Sequence, residues 1–225
     1  MALSTILTTL FVGGAYAITP VPIKTGCSTF PTYDASTGMT DLFQVTVSGC
    51  VNTTAPSNSR QACSIEGFGD SSVVRQVFDE QGGIKQGYIT IVHKNDLAKI
   101  PLRCNDATPN LLEGRVETGV SDFSWQQLNI TNIPYSASLM WGLPEDESIS
   151  VEFYNHYNDG KKEDGIFLGA NDVTQWGIKY YGPDAGSHGL PYWFFRLLGE
   201  GSEDPVTGEE VAEGEYRTFI RVDGS

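Results

Sequence analysis

Basic residues are scarce in this sequence. Its 225 residues include 14 Lys and Arg against 28 Asp and Glu, a formal net charge of -14. Nucleic acid and anionic membrane surfaces both demand clustered cations, so the balance speaks against either as a partner. The acids are scattered and form no block, the pattern of a solvated surface. Long hydrophobic runs are missing as well. Beyond the first residues nothing is apolar for long enough to span a bilayer, and the tail TFIRVDGS carries no lipid-anchor signal. Zinc spacing is absent: no two cysteines stand two to four residues apart, and only His93 lies among them. There is no Gly-x-Ser-x-Gly elbow, Walker loop or dinucleotide glycine pattern after a strand. Ser187-His188-Gly189 puts a serine beside a histidine in the chain, which does not make a catalytic pair. No metal and no cofactor are expected.

What is present points to the secretory pathway. The opening MALSTILTTLFVGGAYA combines a short apolar stretch with a small-x-small ending at Ala15, Tyr16 and Ala17. This is the layout of a signal peptide over residues 1–17, with the mature chain starting at Ile18. Four cysteines occupy the first half, and in an oxidising compartment an even count reads as two disulfides. The favoured pairs are Cys50 with Cys63, closing the polar loop VNTTAPSNSRQA, and Cys27 with Cys104, tying the N-terminal arm to the end of the first half. Two sequons, at Asn52 and Asn129, mark glycosylation sites. The expected protein is secreted, extracellular or associated with the cell wall.

Strand patterns dominate. LFQVTVSG, GYITIVHK, SISVEFYNHY, DGIFLGA, TQWGIKYY, YWFFRLLG and EYRTFIRV alternate or run apolar between turn residues. Helical periodicity is confined to SSVVRQVFDEQGG, which also reads as a strand, and to a single turn in NDLAKI. Residues 18–225 therefore read as one β-rich domain with few short helices. The expected fold is a β-sandwich, of fibronectin-III/immunoglobulin-like or related jelly-roll arrangement. A soft boundary lies in the polar stretch near 105–114.

The stretch FYNHYNDGKKEDG concentrates polar chemistry. Calcium-loop offsets fail from Asn155, because the third position is Tyr157 and the twelfth is Ile166. Asn158-Asp159-Gly160 supplies positive-φ residues instead, so the stretch reads as a hairpin that binds no metal. A glycosidase needs only two acids flanking a sugar. Glu152, inside the apolar strand SVEFY, is the candidate acid, although alternation alone predicts an outward acid there. All four tryptophans follow residue 120. Adjacent rings at Tyr180-Tyr181 and from Tyr192 to Phe195 must point to opposite strand faces, so some reach a surface. Trp176, Tyr181 and Trp193 are the candidate binding residues, beside polar groups able to hold sugar hydroxyls.

FPTYD, IPLRC, LMWGL and DGIFLGANDVTQWGIKYY together resemble small secreted proteins of filamentous fungi. The resemblance spreads over most of the mature chain and implies secretion. Its motifs carry no assigned chemistry, so no functional residue is transferred. EEVAEGEYRTFIRV, about fifteen residues, resembles the last strand pair of fibronectin-III-like sandwiches and implies an edge strand opened by a Gly-x-Tyr turn. The leading expectation is a protein that works by binding a polysaccharide or cell-surface component. The alternatives are an acid-dependent glycoside hydrolase and a structural surface protein without a small ligand.

Overall fold

The computed structural model describes residues 18–51, 64–67, 70–78, 83–92, 99–106, 111–119, 121–185 and 191–222. Residues 1–17, Asn52, Cys63, His93, residues 95–98 of the NDLAKI stretch and Ser187-His188-Gly189 lie outside them. The strands are β1 (Ile18–Pro22), β2 (Tyr33–Asp34), β3 (Met39–Thr40), β4 (Val45–Val51), β5 (Asp70–Phe78) and β6 (Ile84–Val92). They continue with β7 (Leu102–Asn105), β8 (Leu111–Gly119), β9 (Asp122–Thr131), β10 (Leu139–Trp141), β11 (Ser148–Ser150) and β12 (Glu152–Asn158). The last are β13 (Lys161–Lys162), β14 (Phe167–Gly169), β15 (Gln175–Tyr181), β16 (Tyr192–Leu197) and β17 (Glu215–Val222). Only short 3-10 turns interrupt them among the described residues.

All pairings are antiparallel. One hydrogen-bonded path runs β7-β8-β9-β10-β6-β16-β15-β17-β14-β12-β1. β5 flanks β6, β4 flanks β17, and β2-β3 extend β7. The result is a mostly β, sandwich-like fold. Period-2 alternation sends one side of each strand inward. Val45 and Val47, Ile89 and Ile91, Leu112 and Val116, Leu128 and Ile130, Trp176 and Ile178, and Ile220 and Val222 meet in one core cluster. That cluster draws on residues from both sides of the 105–114 stretch.

The ambiguous SSVVRQVF segment is strand β5, with irregular register between Val74 and Val77. Pairing with β6 overrides its partial helical periodicity. β17 is not the edge strand that its resemblance implied, since β15 lies on one side and β4 on the other. Cys27 and Cys104, both buried, form a disulfide with Cα atoms 5.5 Å apart. This is one of the two pairings favoured from the sequence. Cys50 is buried in the core, and its expected partner Cys63 lies outside the described residues.

Across the outside of β15–β17 the chain from Leu198 to Gly214 is held down by a buried clasp. Arg196 donates to both carboxylate oxygens of Glu215 at 2.9 Å. Its remaining donors reach the carbonyls of Tyr135, Ser202 and Glu210. The N–H of Ala212 also donates to Glu215, at 2.9 Å. Gly177 makes this possible, because a Cβ there would stand 2.4 Å from Glu215 Oε1.

Candidate ligand-binding face

The adjacent rings of β15 and β16 do point to opposite faces. Trp176 lies on the inward face and is fully buried, its Nε1–H donating to the Leu168 carbonyl at 2.9 Å and its ring set edge-on to Phe195. It belongs to the core and is removed from the expected binding set. Trp193 shares the inward side and is half-buried where the sandwich opens. Its ring stands 5.3 Å from Tyr180, which is 50% exposed, and 6.3 Å from Tyr216. Trp193 thus belongs to a rim triad, apart from Tyr181.

Tyr181 lies on the outer side. It stacks on Tyr192 at 5.3 Å with planes 7° apart, and its edge meets Phe194 at 6.3 Å. Phe194 in turn meets Tyr88 of β6 at 5.6 Å. Tyr192 and Val92 are buried beneath this row, while Tyr88, Tyr181 and Phe194 keep part of their surface in solvent. The register partner of Tyr88 on β10 is Met140, buried on the same side. Tyr181, Phe194, Tyr88 and Met140 therefore cross four neighbouring strands, a row roughly 14 Å long at ordinary strand spacing.

The row runs into a groove of about 330 Å³. Tyr88 and Met140 line it together with Ile133 and Leu143, and Gln86, Asn132, Asp146 and Glu147 add polar groups. Local bonding fixes both banks. On one, Gln86 Nε2 donates to the Gly142 carbonyl at 3.1 Å, and Gly142 adopts φ +77 where a Cβ would stand 2.1 Å from Lys85 O. On the other, Thr131 Oγ1 donates to Ser136 O at 2.6 Å, and Asn132 N–H donates to Glu147 O at 2.9 Å. No cation is among the described lining residues. Ring faces beside amides and carboxylates suit a polyhydroxylated ligand with apolar patches. Tyr88 was missed from sequence. Its signal was the alternation of GYITIVHK, which buries Ile89 and Ile91 and turns Tyr88 outward.

Glu152 is exposed, and its carboxylate braces a turn. It accepts the hydroxyl of buried Tyr154 and, at 2.9 Å, the N–H of Asn171. The Tyr154 oxygen also accepts the Asp172 N–H at 2.8 Å. Burial, followed by the Glu152 hydrogen bond, pushes the Tyr154 pKa upward. Asn171 and Asp172 both have positive φ, so these contacts hold a tight turn between Ala170 and Val173. The carboxylate is committed to this brace, and the outward reading of Glu152 describes it better than the catalytic one. Asn129 lies within β9, half-buried, with Met140 and Ser150 as register partners and its Oδ1 accepting from Gln127 Nε2 at 3.0 Å.

FYNHYNDGKKEDG forms the expected hairpin. Asp159 and Gly160, at φ 49 and φ 76, turn the chain so that Asn158 pairs with Lys161 and Tyr157 with Lys162. The structure adds a buried histidine to this reading. His156 is fully buried, stacked on Phe167 at 3.7 Å with planes 5° apart and edge-on to Phe219. Its Nε2 shares a hydrogen bond with Thr174 Oγ1 at 2.9 Å. Burial lowers its pKa to about 4. No group of three metal-ligating side chains occurs among the described residues, and no described helix is long and apolar enough to cross a membrane.

No protein-family model matches the chain, and no curated protein matches its sequence.

Proposed function

We propose that the protein is a secreted, glycosylated binding protein whose outer aromatic row holds a neutral polysaccharide of a cell wall or cell surface. The observation that carries this reading is the partly exposed row Tyr181, Phe194 and Tyr88 ending in a groove with amides and acids and no cation among its described lining residues. Rings present flat apolar surface at low entropic cost, and the polar rim accepts and donates to hydroxyls. Asp146 and Glu147 in the described lining disfavour an anionic chain there. The buried Cys27–Cys104 bond fits an oxidising compartment. Sugars on Asn52 and Asn129 belong to the same reading.

The test is a pull-down on insoluble glucan, chitin and cellulose, run beside a sugar-release assay. Binding to at least one of them without sugar release is expected. Tyr88→Ala and Phe194→Ala should each weaken it several-fold, since an aromatic contact contributes on the order of 1 kcal/mol beyond area burial. Retention of full binding by both variants refutes the assignment. Steady sugar release would replace it with the hydrolase reading.

A further inference from the structure

A larger pocket, of about 720 Å³, lies on the outside of β4, β12, β14 and β17, against the Asp159-Gly160 hairpin. Three cations line it: Lys161, Lys162 and Arg221. Among the described residues Arg103 pairs with Glu113, Arg196 with Glu215 and Arg217 with Glu210, while Arg115 lies over the Phe123 ring. The side chains of Arg221, Lys161 and Lys162 have no such partner among the described residues, although Asp159, Glu163 and Asp164 line the same pocket. In a chain with two acids for every base, this pocket gathers cations in equal number to its acids. The Arg221 arm is also built in. Gly165, at φ +106, leaves room for it, because a Cβ there would stand 2.5 Å from Arg221 Cδ.

The inner wall has polar atoms waiting for partners. Asn158 Oδ1 is buried with no hydrogen bond. Behind it His156, fully buried, has an unpartnered Nδ1 that faces Glu163 Oε2, a pocket-lining group, across 3.9 Å. Buried polar atoms without partners are costly, and the Asn158 amide, turned into the pocket to accept a ligand hydroxyl, is relieved of that cost. An arginine with free donors is suited to a planar carboxylate, which it grips through two parallel bonds. The three nearby acids disfavour a multiply charged phosphate or sulfate by repulsion, while they accept hydrogen bonds from hydroxyls.

We propose that this pocket binds a uronic-acid sugar, its carboxylate held by Arg221 with Lys161 and Lys162 and its hydroxyls by Asn158 and Glu163. The site is separate from the aromatic row and does not depend on it.

The experiment is calorimetric titration of the full secreted protein near pH 7 at low salt. The probes are a galacturonic-acid trimer, a neutral galactose trimer of the same linkage, and inorganic phosphate. The uronate trimer should bind at least about tenfold more tightly than the neutral one, the usual order for a charge-assisted contact, and weaken with salt. Arg221→Gln should remove that preference and Arg221→Lys should keep part of it, with melting temperatures compared for each. Lys162→Gln, at an exposed position, gives a second variant free of folding effects and should lower uronate affinity several-fold. Tyr88→Ala should leave uronate binding unchanged. Equal binding of both trimers, or binding of neither, overturns the proposal. So does inorganic phosphate binding as tightly as the uronate trimer, which would mark an anion site alone. Loss of uronate binding in Tyr88→Ala would move the ligand to the aromatic row and equally overturn it.

Discussion

His156 links stability to pH in a defined direction. An ordinary histidine titrates near 6.5, and burial against Phe167 and Phe219 lowers this one to about 4 in the folded protein. Between these values the unfolded chain takes up a proton that the folded protein refuses. Stability then falls as pH falls, because the unfolded state binds more protons. Above about pH 6.5 the contribution is constant. Each pKa unit corresponds to about 1.36 kcal/mol, so the loss on going to about pH 4 is at most about 3 kcal/mol. Carboxylates titrate in the same range, so the quantity to measure is a difference. Urea unfolding of the wild type and of His156→Phe at pH 7.5, 6.5, 5.5 and 4.5 supplies it. Phenylalanine preserves the stack and loses the Thr174 hydrogen bond, a penalty of about 1 kcal/mol that does not vary with pH. The wild type should lose its advantage steadily toward low pH. Parallel curves would refute the reasoning. A wild type that gains on the variant as pH falls would show that attraction to Glu163, 3.9 Å from Nδ1, outweighs desolvation.

Three further outcomes follow from packing. Replacing Cys27 and Cys104 by serine opens a crosslink across 77 residues and should cost roughly 4 to 5 kcal/mol on a chain-entropy basis, read by denaturant unfolding. Gly177→Ala pushes a methyl into the Glu215 carboxylate and should cost about 3 to 5 kcal/mol, as breaking a buried ion pair does. Trp176→Ala should cost about 3 to 5 kcal/mol, whereas Tyr180→Ala, half exposed at the rim, should shift thermal melting far less.

Local rules carried the fold a long way. Asn158-Asp159-Gly160 announced its turn because only positive-φ residues make that hairpin. Alternation identified β6, β15 and β17 because a sheet with one buried face imposes it. It could not say which face of TQWGIKYY was inward, so Trp176 and Tyr181 stood as equals in sequence although one is core and the other is not. Gly177 was the clue between them: a missing side chain on the outer face signals something pressed close, here Glu215. The clasp itself spans nineteen residues between Arg196 and Glu215 and obeys no local pattern. The aromatic row is likewise a product of tertiary pairing, since Tyr88 meets Phe194 only because β6 runs beside β16. The pocket at the hairpin was half legible: its polar residues stand together in the chain, but Arg221 arrives from the far end.

The Arg196 clasp also has a meaning in time. It gathers a carbonyl from Tyr135, well before it in the chain, two from Ser202 and Glu210 after it, and a carboxylate from β17. None of these partners is within reach until β15, β16 and β17 are aligned and the 134–136 turn is seated. This dependence predicts that the Leu198–Gly214 segment docks late in folding, so mutations there should speed unfolding while leaving the folding rate nearly unchanged. If the same segment releases first when the native protein opens, limited proteolysis should cut it before any other part of the chain.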